Sequence, residues 1–379
     1  MKNVVPFIFL ISAACLTAQS KPFEINGTIK GMDNGFAEFF SGRGDTVFKI
    51  SDKKVNIENG VFSFKGDLSY TSSIILKLTD NEKSFFTPWF YVDSRKQTLT
   101  LSTTILELFG EDSVLSVISS GKTETEYNEK FKRLKASAQS KFDEFRTKKI
   151  KLYRELNYIV PEVTLDSLSD LEDVLKNELK IKTIQYIKEN PSSKISLQKA
   201  YNLIKGIYEP WFDSIYDVLD KNLLTSDIGK KITENLHITK SLCLGSIFPA
   251  LSLMDSSSNK IILDKSLLNK YTFCDFWFHG CGWCIKQMPE LNEIYAKWHS
   301  KGLEIIGITV DPKEKEQAWK NVIAKQNVKW LQLWDINSVE ANKLSVNFFP
   351  TSFLLDKSGK IVAVNIKASE LEKFLAARL

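Results

Sequence analysis

The pattern of apolar and polar residues divides the chain into regions of different secondary structure, and the first region is rich in strands. Between residues 22 and 115, apolar side chains recur on alternate positions, the period that turns one face of a strand toward a core. Asn59-Gly60 interrupts one such stretch, and this dipeptide is the strongest short signal for a tight turn between strands. The pattern therefore predicts a hairpin at 55–64 and further strands at 73–78 and 97–102.

Residues 122–238 follow the helical period instead. Apolar residues recur here at spacings of three or four, and Phe131 and Leu134 are one example. Residues with this spacing lie on the same face of a helix. Pro161 and Pro191 are the expected breaks, because proline has no N–H to donate inside a helix. These signals predict helices over residues 165–189, 195–207 and 212–236.

Residues 239–379 alternate between strand-like and helix-like segments. Predicted strands are Tyr271–Phe278, Leu303–Val310, Ser352–Asp356 and Ile361–Val364, and predicted helices are Met288–Ser300, Glu314–Gln326 and Ser369–Leu379. Alternation of this kind favours an α/β sheet covered by helices.

The first 18 residues resemble an export signal. A basic start at Lys2 precedes an apolar run from Val4 to Leu16, which is too short to span a bilayer, and Ala18 offers a small residue for cleavage. Two alternatives are a lipid-modified Cys15, whose preceding residues match the lipoprotein pattern poorly, and a buried N-terminal strand. No other apolar run reaches the length of a membrane span. We therefore expect an exported protein of the periplasm or cell envelope with no integral span.

The predicted organisation is a signal peptide, a β-rich N-terminal domain, a helical region and a C-terminal α/β domain. The boundaries are 1–18, 19–118, 119–238 and 239–379. The length of 379 residues agrees with two or three domains. A composition of 43% hydrophobic and 26% charged residues excludes a largely disordered or collagen-like chain.

Charge and histidine content exclude further classes. The net charge of +5 is spread over the chain without an arginine-rich block, so no nucleic-acid partner is expected. The three histidines, His237, His279 and His299, lie far apart, which argues against a histidine-built metal centre.

Two of the four cysteines beyond the signal form a Cys281-Gly-Trp-Cys284 motif, which directly follows a predicted strand and opens a predicted helix. The unpaired N–H groups and the dipole at a helix start stabilise a thiolate there. The first cysteine of such a motif attacks a disulfide and the second resolves the mixed disulfide. The alternatives are half of a zinc site, for which no second pair exists, and a purely structural disulfide.

Asp275 lies six residues before Cys281, inside an otherwise apolar strand. Burial would raise the pKa of its carboxyl, so that it could take a proton from the resolving thiol and return it. The alternative is an aspartate whose hydrogen bonds are satisfied at a strand end.

Two prolines complete the pattern. Pro289 falls inside the predicted helix and would kink it. Pro350 precedes a strand, and a cis bond there would leave the backbone of Phe349-Pro350-Thr351 free to pair with an extended substrate segment. The alternative is an ordinary trans proline.

Together these residues resemble the thioredoxin superfamily. Cys274-Asp-Phe-Trp277 followed by the cysteine motif, with Pro289 and Pro350, matches its strand, active site, helix kink and cis-proline. Met288-Pro-Glu-Leu291 is similar to the exported TlpA/ResA-like thiol–disulfide oxidoreductases in particular. The resemblance covers residues 239–379, and the long separation of the motif from Pro350 fits the extra strand and helix of that branch.

The resemblance implies a thioredoxin-like fold and a role for each site residue. Cys281 would attack, Cys284 would resolve and Asp275 would shuttle the proton. Substrate would contact Trp283, Phe349, Pro350 and Thr351. The implied partners are protein disulfides or thiols and a membrane-bound or envelope redox partner, with no metal and no organic cofactor.

Several positions depart from the family pattern. Gly280 replaces the usual tryptophan before the first cysteine, Trp283 replaces the usual proline, and Gln287 stands where a glutamate often titrates. His279 would lower the thiol pKa as an imidazolium, or else be an exposed histidine with no part in catalysis. Outside the motif, Cys243 and Cys274 would be small buried residues, with a second disulfide as the alternative.

The sequence therefore predicts an exported thiol–disulfide oxidoreductase that acts as a reductase. One alternative is a partner-binding envelope protein with a vestigial thioredoxin domain. A peroxidase is a third, but it requires Thr-x-x-Cys, and the residue three before Cys284 is Cys281.

Overall fold

The computed structural model describes residues 21–43, 46–51, 53–68, 72–80, 83–93, 95–102, 106–108, 111–113, 116–157 and 159–379. The predicted signal peptide and Cys15 lie outside these residues. The chain divides into two compact units, one ending at Tyr186 and one spanning Ile187–Leu379. Within the described ranges, every helix is too short or too polar to cross a bilayer.

The first unit contains twelve strands among the residues that the structure describes. They are β1 Lys21–Lys30, β2 Gly35–Arg43, β3 Thr46–Lys49, β4 Val55–Ile57, β5 Val61–Leu68, β6 Ser72–Asp80, β7 Lys83–Phe86, β8 Phe90–Val92, β9 Lys96–Ser102, β10 Leu106–Leu108, β11 Glu111–Ser113 and β12 Ser116–Ser119. One sheet has the order β12-β9-β1-β5 and the other β10-β11-β7-β6-β2-β3, with β4 beside β2 and β8 beside β6. Alternate side chains from both sheets, such as Ile25 and Leu76, form one buried core.

The turn at Asn59-Gly60 forms as predicted, but the two strands around it do not make a hairpin. Both residues have the positive φ that such a turn requires, +52° and +71°. Beyond the single bridge between Glu58 and Val61, β4 pairs with β2 and β5 pairs with β1. The turn therefore carries the chain from one sheet to the other, because Ile57 and Phe62 enter the shared core from opposite sheets.

The helices of the first unit come after the two sheets in the sequence. They are α1 Lys122–Glu126, a π-helical segment Tyr127–Lys132, α2 Arg133–Glu155 and α3 Glu162–Glu189, whose last residues belong to the second unit. As predicted, Pro161 and Pro191 flank α3. The buried carboxylate of Glu124 accepts the Tyr91 N–H at 2.7 Å, which ties α1 to β8.

The second unit begins with four helices, α4 Lys194–Leu203, α5 Trp211–Tyr216, α6 Lys221–Leu224 and α7 Asp227–Ser241. The prediction of one helix over 212–236 is wrong. The side chains of Asp220 and Ser226 accept backbone N–H groups at the starts of α6 and α7, and each cap begins a new helix. Residues 187–238, which the pattern assigned to a separate helical region, share a compact unit with the α/β domain.

The rest of the second unit is a seven-stranded sheet covered by helices. Its elements are β13 Leu251–Met254, β14 Lys260–Leu263, β15 Tyr271–Trp277, α8 Gly282–Trp298, β16 Leu303–Thr309, α9 Glu316–Lys325, β17 Leu331–Trp334, α10 Val339–Lys343, β18 Thr351–Asp356, β19 Ile361–Val364 and α11 Ala368–Ala376. The strand order is β14-β13-β17-β16-β15-β18-β19. The central strands β15, β16 and β17 are parallel, and a buried apolar core lies on each face of the sheet.

Strand β17 and helix α10 lie between the cysteine motif and Pro350, where the resemblance implies an extra strand and helix. The pattern did not identify the short strands β13, β14 and β17, which have four residues each. The parallel pairing of β15 with β16 brings the carboxyl ends of both strands to one edge of the sheet, where the cysteine motif begins.

Candidate active site

The cysteine pair lies at the start of α8, immediately after β15, as the sequence predicts. The Cys281 N–H donates to the Phe278 carbonyl at 3.0 Å, which closes a tight turn between strand and helix. Cys281 is the N-cap of α8, and its sulfur accepts the Cys284 N–H at 3.2 Å. The two sulfurs form a disulfide with their Cα atoms 5.3 Å apart.

The two cysteines differ in their access to solvent. Cys284 is 0% exposed, whereas Cys281 retains 6%. After reduction, the Cys281 sulfur would lie at the positive end of the α8 dipole, where a thiolate is stabilised. The arrangement suits attack by Cys281 and resolution by Cys284.

The remaining cysteines take no part in this pair. Cys243 and Cys274 are free, so the alternative of a second disulfide is wrong, and Cys243 is only partly buried. Burial, with a smaller contribution from the neighbouring Asp275, raises the pKa of the Cys274 thiol to about 12. Cys274 is therefore a small apolar residue of the core on the other face of β15.

Asp275 is buried on β15 and faces α8. One carboxylate oxygen accepts a hydrogen bond from Nε2 of Gln287 at 3.2 Å, and the other has no hydrogen-bond partner among the described residues. Burial raises the pKa of Asp275 to about 8, against the smaller lowering effect of the Gln287 amide. A carboxyl with that pKa gains and loses a proton near neutral pH, as the sequence analysis expected.

The predicted substrate-side residues gather at the start of β18. The Phe349–Pro350 bond is cis, as predicted. The Phe349 ring packs against Phe278, with ring centroids 5.6 Å apart. Thr351 is buried and its hydroxyl donates to the Phe348 carbonyl at 2.7 Å, so only its backbone would be available to a substrate.

Two large aromatic side chains are exposed near the motif and the proline. Trp283, inside the motif, is 54% exposed, and Lys286 lies 5.2 Å from its ring centroid. Phe348, two residues before Pro350, is 60% exposed and was not among the predicted site residues. Its signal in the sequence was the Phe348-Phe349-Pro350 run itself.

His279 is anchored rather than free. Its Nδ1 lies 2.5 Å from one carboxylate oxygen of Asp311, and its backbone N–H donates to the other at 2.9 Å. Asp311 is 1% exposed and was missed by the sequence analysis. The only sequence signal for it was its position directly after the predicted β-branched strand Leu303–Val310.

Among the residues that the structure describes, no group of three histidine, cysteine, aspartate or glutamate side chains is placed to hold a metal ion.

Comparison with known proteins identifies relatives of the C-terminal part. The AhpC/TSA family model matches residues 244–364. A thiol-disulfide oxidoreductase ResA of Bacillus cereus is 39% identical over 149 residues, which cover 39% of this chain and 84% of the relative. ResA of Bacillus anthracis is 32% identical over the same shares of the two chains. Among solved structures, the thioredoxin domain of a thiol-disulfide oxidoreductase from Bacteroides vulgatus is 33% identical with a TM-score of 0.33, covering 36% of this chain and 99% of that one.

The raised pKa of Asp275 predicts a pH-dependent effect on stability. The folded pKa of about 8 lies above the ordinary value of 3.8, so the native state binds a proton that the unfolded state has lost. Asp275 therefore lowers the free energy of unfolding progressively from about pH 4 to pH 8. Asp275→Asn should raise that free energy in the oxidised protein by on the order of 1 kcal/mol or more at pH 8, and by less at pH 5.

Urea unfolding of both proteins at pH 5 and pH 8 measures this effect. The control is Asp264→Asn, an exposed carboxyl whose pKa is lowered by its Ser266 hydrogen bond. That carboxyl is ionised in both states over this range, so its substitution should have the same effect at both pH values. An Asp275→Asn effect that does not grow with pH contradicts the prediction.

The positions of the two sulfurs predict unequal reactivity. In the reduced protein, Cys281 should react with iodoacetamide at least about tenfold faster than Cys284 at neutral pH, because it caps the helix and retains exposure. Mass spectrometry of each alkylated peptide against time gives the two rates. Buried Cys274 is the internal control for an inaccessible thiol, and equal rates at Cys281 and Cys284 would refute the assignment.

Proposed function

The chain belongs to the ResA-like thiol–disulfide oxidoreductases of the thioredoxin superfamily, and on that premise we propose that it reduces disulfides of protein substrates in the cell envelope with its Cys281–Cys284 pair. The observation that carries the proposal is the disulfide at the start of α8 with the buried Asp275 on the adjoining strand. That combination provides a nucleophile, a resolving thiol and a proton carrier within one strand–helix connection.

The reaction proceeds in two exchanges. The Cys281 thiolate attacks one sulfur of the substrate disulfide, forms a mixed disulfide and expels the first substrate thiolate. Cys284 then attacks the Cys281 sulfur and expels the second. Asp275 takes the proton of Cys284 during this attack and passes it to the departing thiolate, which its pKa near neutrality supports.

Substrate recognition is assigned to Trp283, Phe349, Pro350 and Thr351. The exposure of the Trp283 ring supports contact with a partner, since a large exposed aromatic side chain gains from burial. The cis bond at Pro350 and the buried Thr351 side chain support recognition through backbone groups rather than side-chain chemistry. Backbone recognition would accept extended segments of many sequences.

The envelope location rests on the export-signal pattern of residues 1–18. A reductase there needs a donor that returns two electrons to the Cys281–Cys284 disulfide, so an envelope redox partner is part of the proposal. In the reductase direction Asp275 would serve the release of thiols, and the direction itself is set by the reduction potential of the pair.

Blocking resolution should trap the substrates. Cys284→Ser should accumulate mixed disulfides between Cys281 and envelope proteins, which a reducing agent releases, because the second exchange has lost its nucleophile. Non-reducing gels followed by mass spectrometry detect these complexes. Cys281→Ser should trap none, and Cys243→Ser is the matched control that should behave as wild type. Equal trapping by Cys281→Ser and Cys284→Ser would exclude the assigned roles.

The direction of electron flow is tested by the reduction potential of the pair. Equilibration with glutathione or dithiothreitol buffers should give a value near the thioredoxin range, about −270 mV. A value near about −120 mV would make the protein an oxidant and overturn the reductase direction while leaving the exchange chemistry intact.

A further inference from the structure

A histidine–aspartate pair, His279 with Asp311, begins two residues before Cys281 in the chain, and the reaction described above does not use it. Asp311 follows β16 as His279 follows β15, each two residues beyond the last residue of its strand. The parallel register pairs Trp277 with Thr309, so the residues beyond these two positions meet at the sheet edge. The turn closed by Phe278 and Cys281 contains His279, which therefore lies two residues before the attacking cysteine and within the same turn.

The geometry around Asp311 fixes the imidazole. One carboxylate oxygen of Asp311 contacts Nδ1 of His279, and the other accepts the His279 N–H and the Thr309 hydroxyl, at 2.9 and 2.7 Å. The Asp311 backbone carbonyl accepts the Trp334 indole N–H at 2.7 Å, so the aspartate itself is held in place. Because a carboxylate only accepts, this contact requires a proton on Nδ1, and in the neutral imidazole Nε2 then carries the lone pair.

Burial of Asp311 determines which groups can balance its charge. A buried carboxylate is costly unless a cation or several donors compensate it, and His279 is the only ionisable partner of Asp311 within the described ranges. The His279 side chain retains 31% exposure, so the ring lies between a buried anion and the surface. The other titratable groups of the site belong to α8 or contact it. Cys281 caps this helix, Cys284 lies within it, and Asp275 contacts Gln287 of the same helix.

We propose that His279, oriented by Asp311, handles the proton of the Cys281 exchange, whereas Asp275 handles the proton of the Cys284 exchange. Nε2 of His279 takes the proton of the Cys281 thiol, and the resulting thiolate attacks the substrate disulfide. The substrate sulfur–sulfur bond breaks, and the first departing thiolate takes this proton from Nε2. The second thiolate receives the Cys284 proton through Asp275, so both electrons come from the enzyme sulfurs and each proton has its own carrier. The assignment rests on the proposed function.

A purely structural role predicts something different. If Asp311 and His279 only stabilised the turn, removing either would slow attack on every disulfide by the same factor. Proton delivery to the leaving group instead matters most for a basic thiolate and hardly at all for an acidic one. The ratio of rates for two disulfides therefore separates the two roles.

The experiment is carried out in the Cys284→Ser background, which isolates the first exchange. The substrates are glutathione disulfide, whose leaving thiol is basic, and an aryl disulfide that releases 5-thio-2-nitrobenzoate, whose leaving thiol is acidic. His279→Gln should slow the reaction with glutathione disulfide by at least about tenfold, and that with the aryl disulfide by less than about threefold. Asp311→Asn should shift the ratio in the same direction by a smaller factor.

Matched controls and a rescue complete the test. His299→Gln removes a histidine bonded to the Leu303 carbonyl, and Asp335→Asn removes a buried aspartate at the end of β17; neither should change the ratio. Added imidazole should restore the glutathione disulfide reaction of His279→Gly, which keeps the proposal testable if Asp311→Asn does not fold. An unchanged ratio in His279→Gln, or no rescue, overturns this inference alone. If the Cys284→Ser parent forms no mixed disulfide with either substrate, the proposed function fails and this inference with it.

Discussion

Parallel pairing of β15 with β16, and antiparallel pairing of β15 with β18, place every part of the site at one edge of the sheet. The cysteine motif follows β15, Asp311 follows β16, and the cis-proline precedes β18, whose Thr351 pairs with Phe276. Side chains alternate along β15, so Asp275 shares the α8 face with Trp277 while Cys274 lies on the opposite face. A register slip of one residue would exchange these two side chains and leave the motif without its acid.

Two buried carboxylates at this edge, Asp275 and Asp311, have different hydrogen-bond partners. This difference explains how one site can transfer two protons. Asp275 has one amide donor and one unpartnered oxygen, so burial dominates and its pKa rises to about 8. Asp311 receives three contacts through its carboxylate, and two of them come from His279. The first arrangement favours a carboxyl that exchanges a proton itself. The second favours an anion that orients an imidazole.

Local chemistry made much of this site predictable from the sequence. A strand, a cysteine pair at a helix start and an aspartate in an apolar run are short-range features, and each lies where the pattern indicates. Asp311 was not predictable in this way, because its contact with His279 joins residues 32 positions apart and depends on strand order. The predicted helix over 212–236 is divided into shorter helices, and the predicted hairpin does not form, for related reasons. Helix caps and the choice of strand partners determine these two features, and hydrophobic periodicity contains no information about either.

The surroundings of the site extend beyond the part of the chain that the family model matches. The match begins at residue 244, yet the compact unit that contains the site begins at Ile187. Gly206, which follows α4, has φ +75°, and a Cβ added there would lie 3.3 Å from the Phe348 ring. Only glycine adopts that conformation readily and leaves this space. The backbone at Gly206 therefore lies close to the exposed aromatic residue that precedes the cis-proline, so a residue outside the matched family region borders the site.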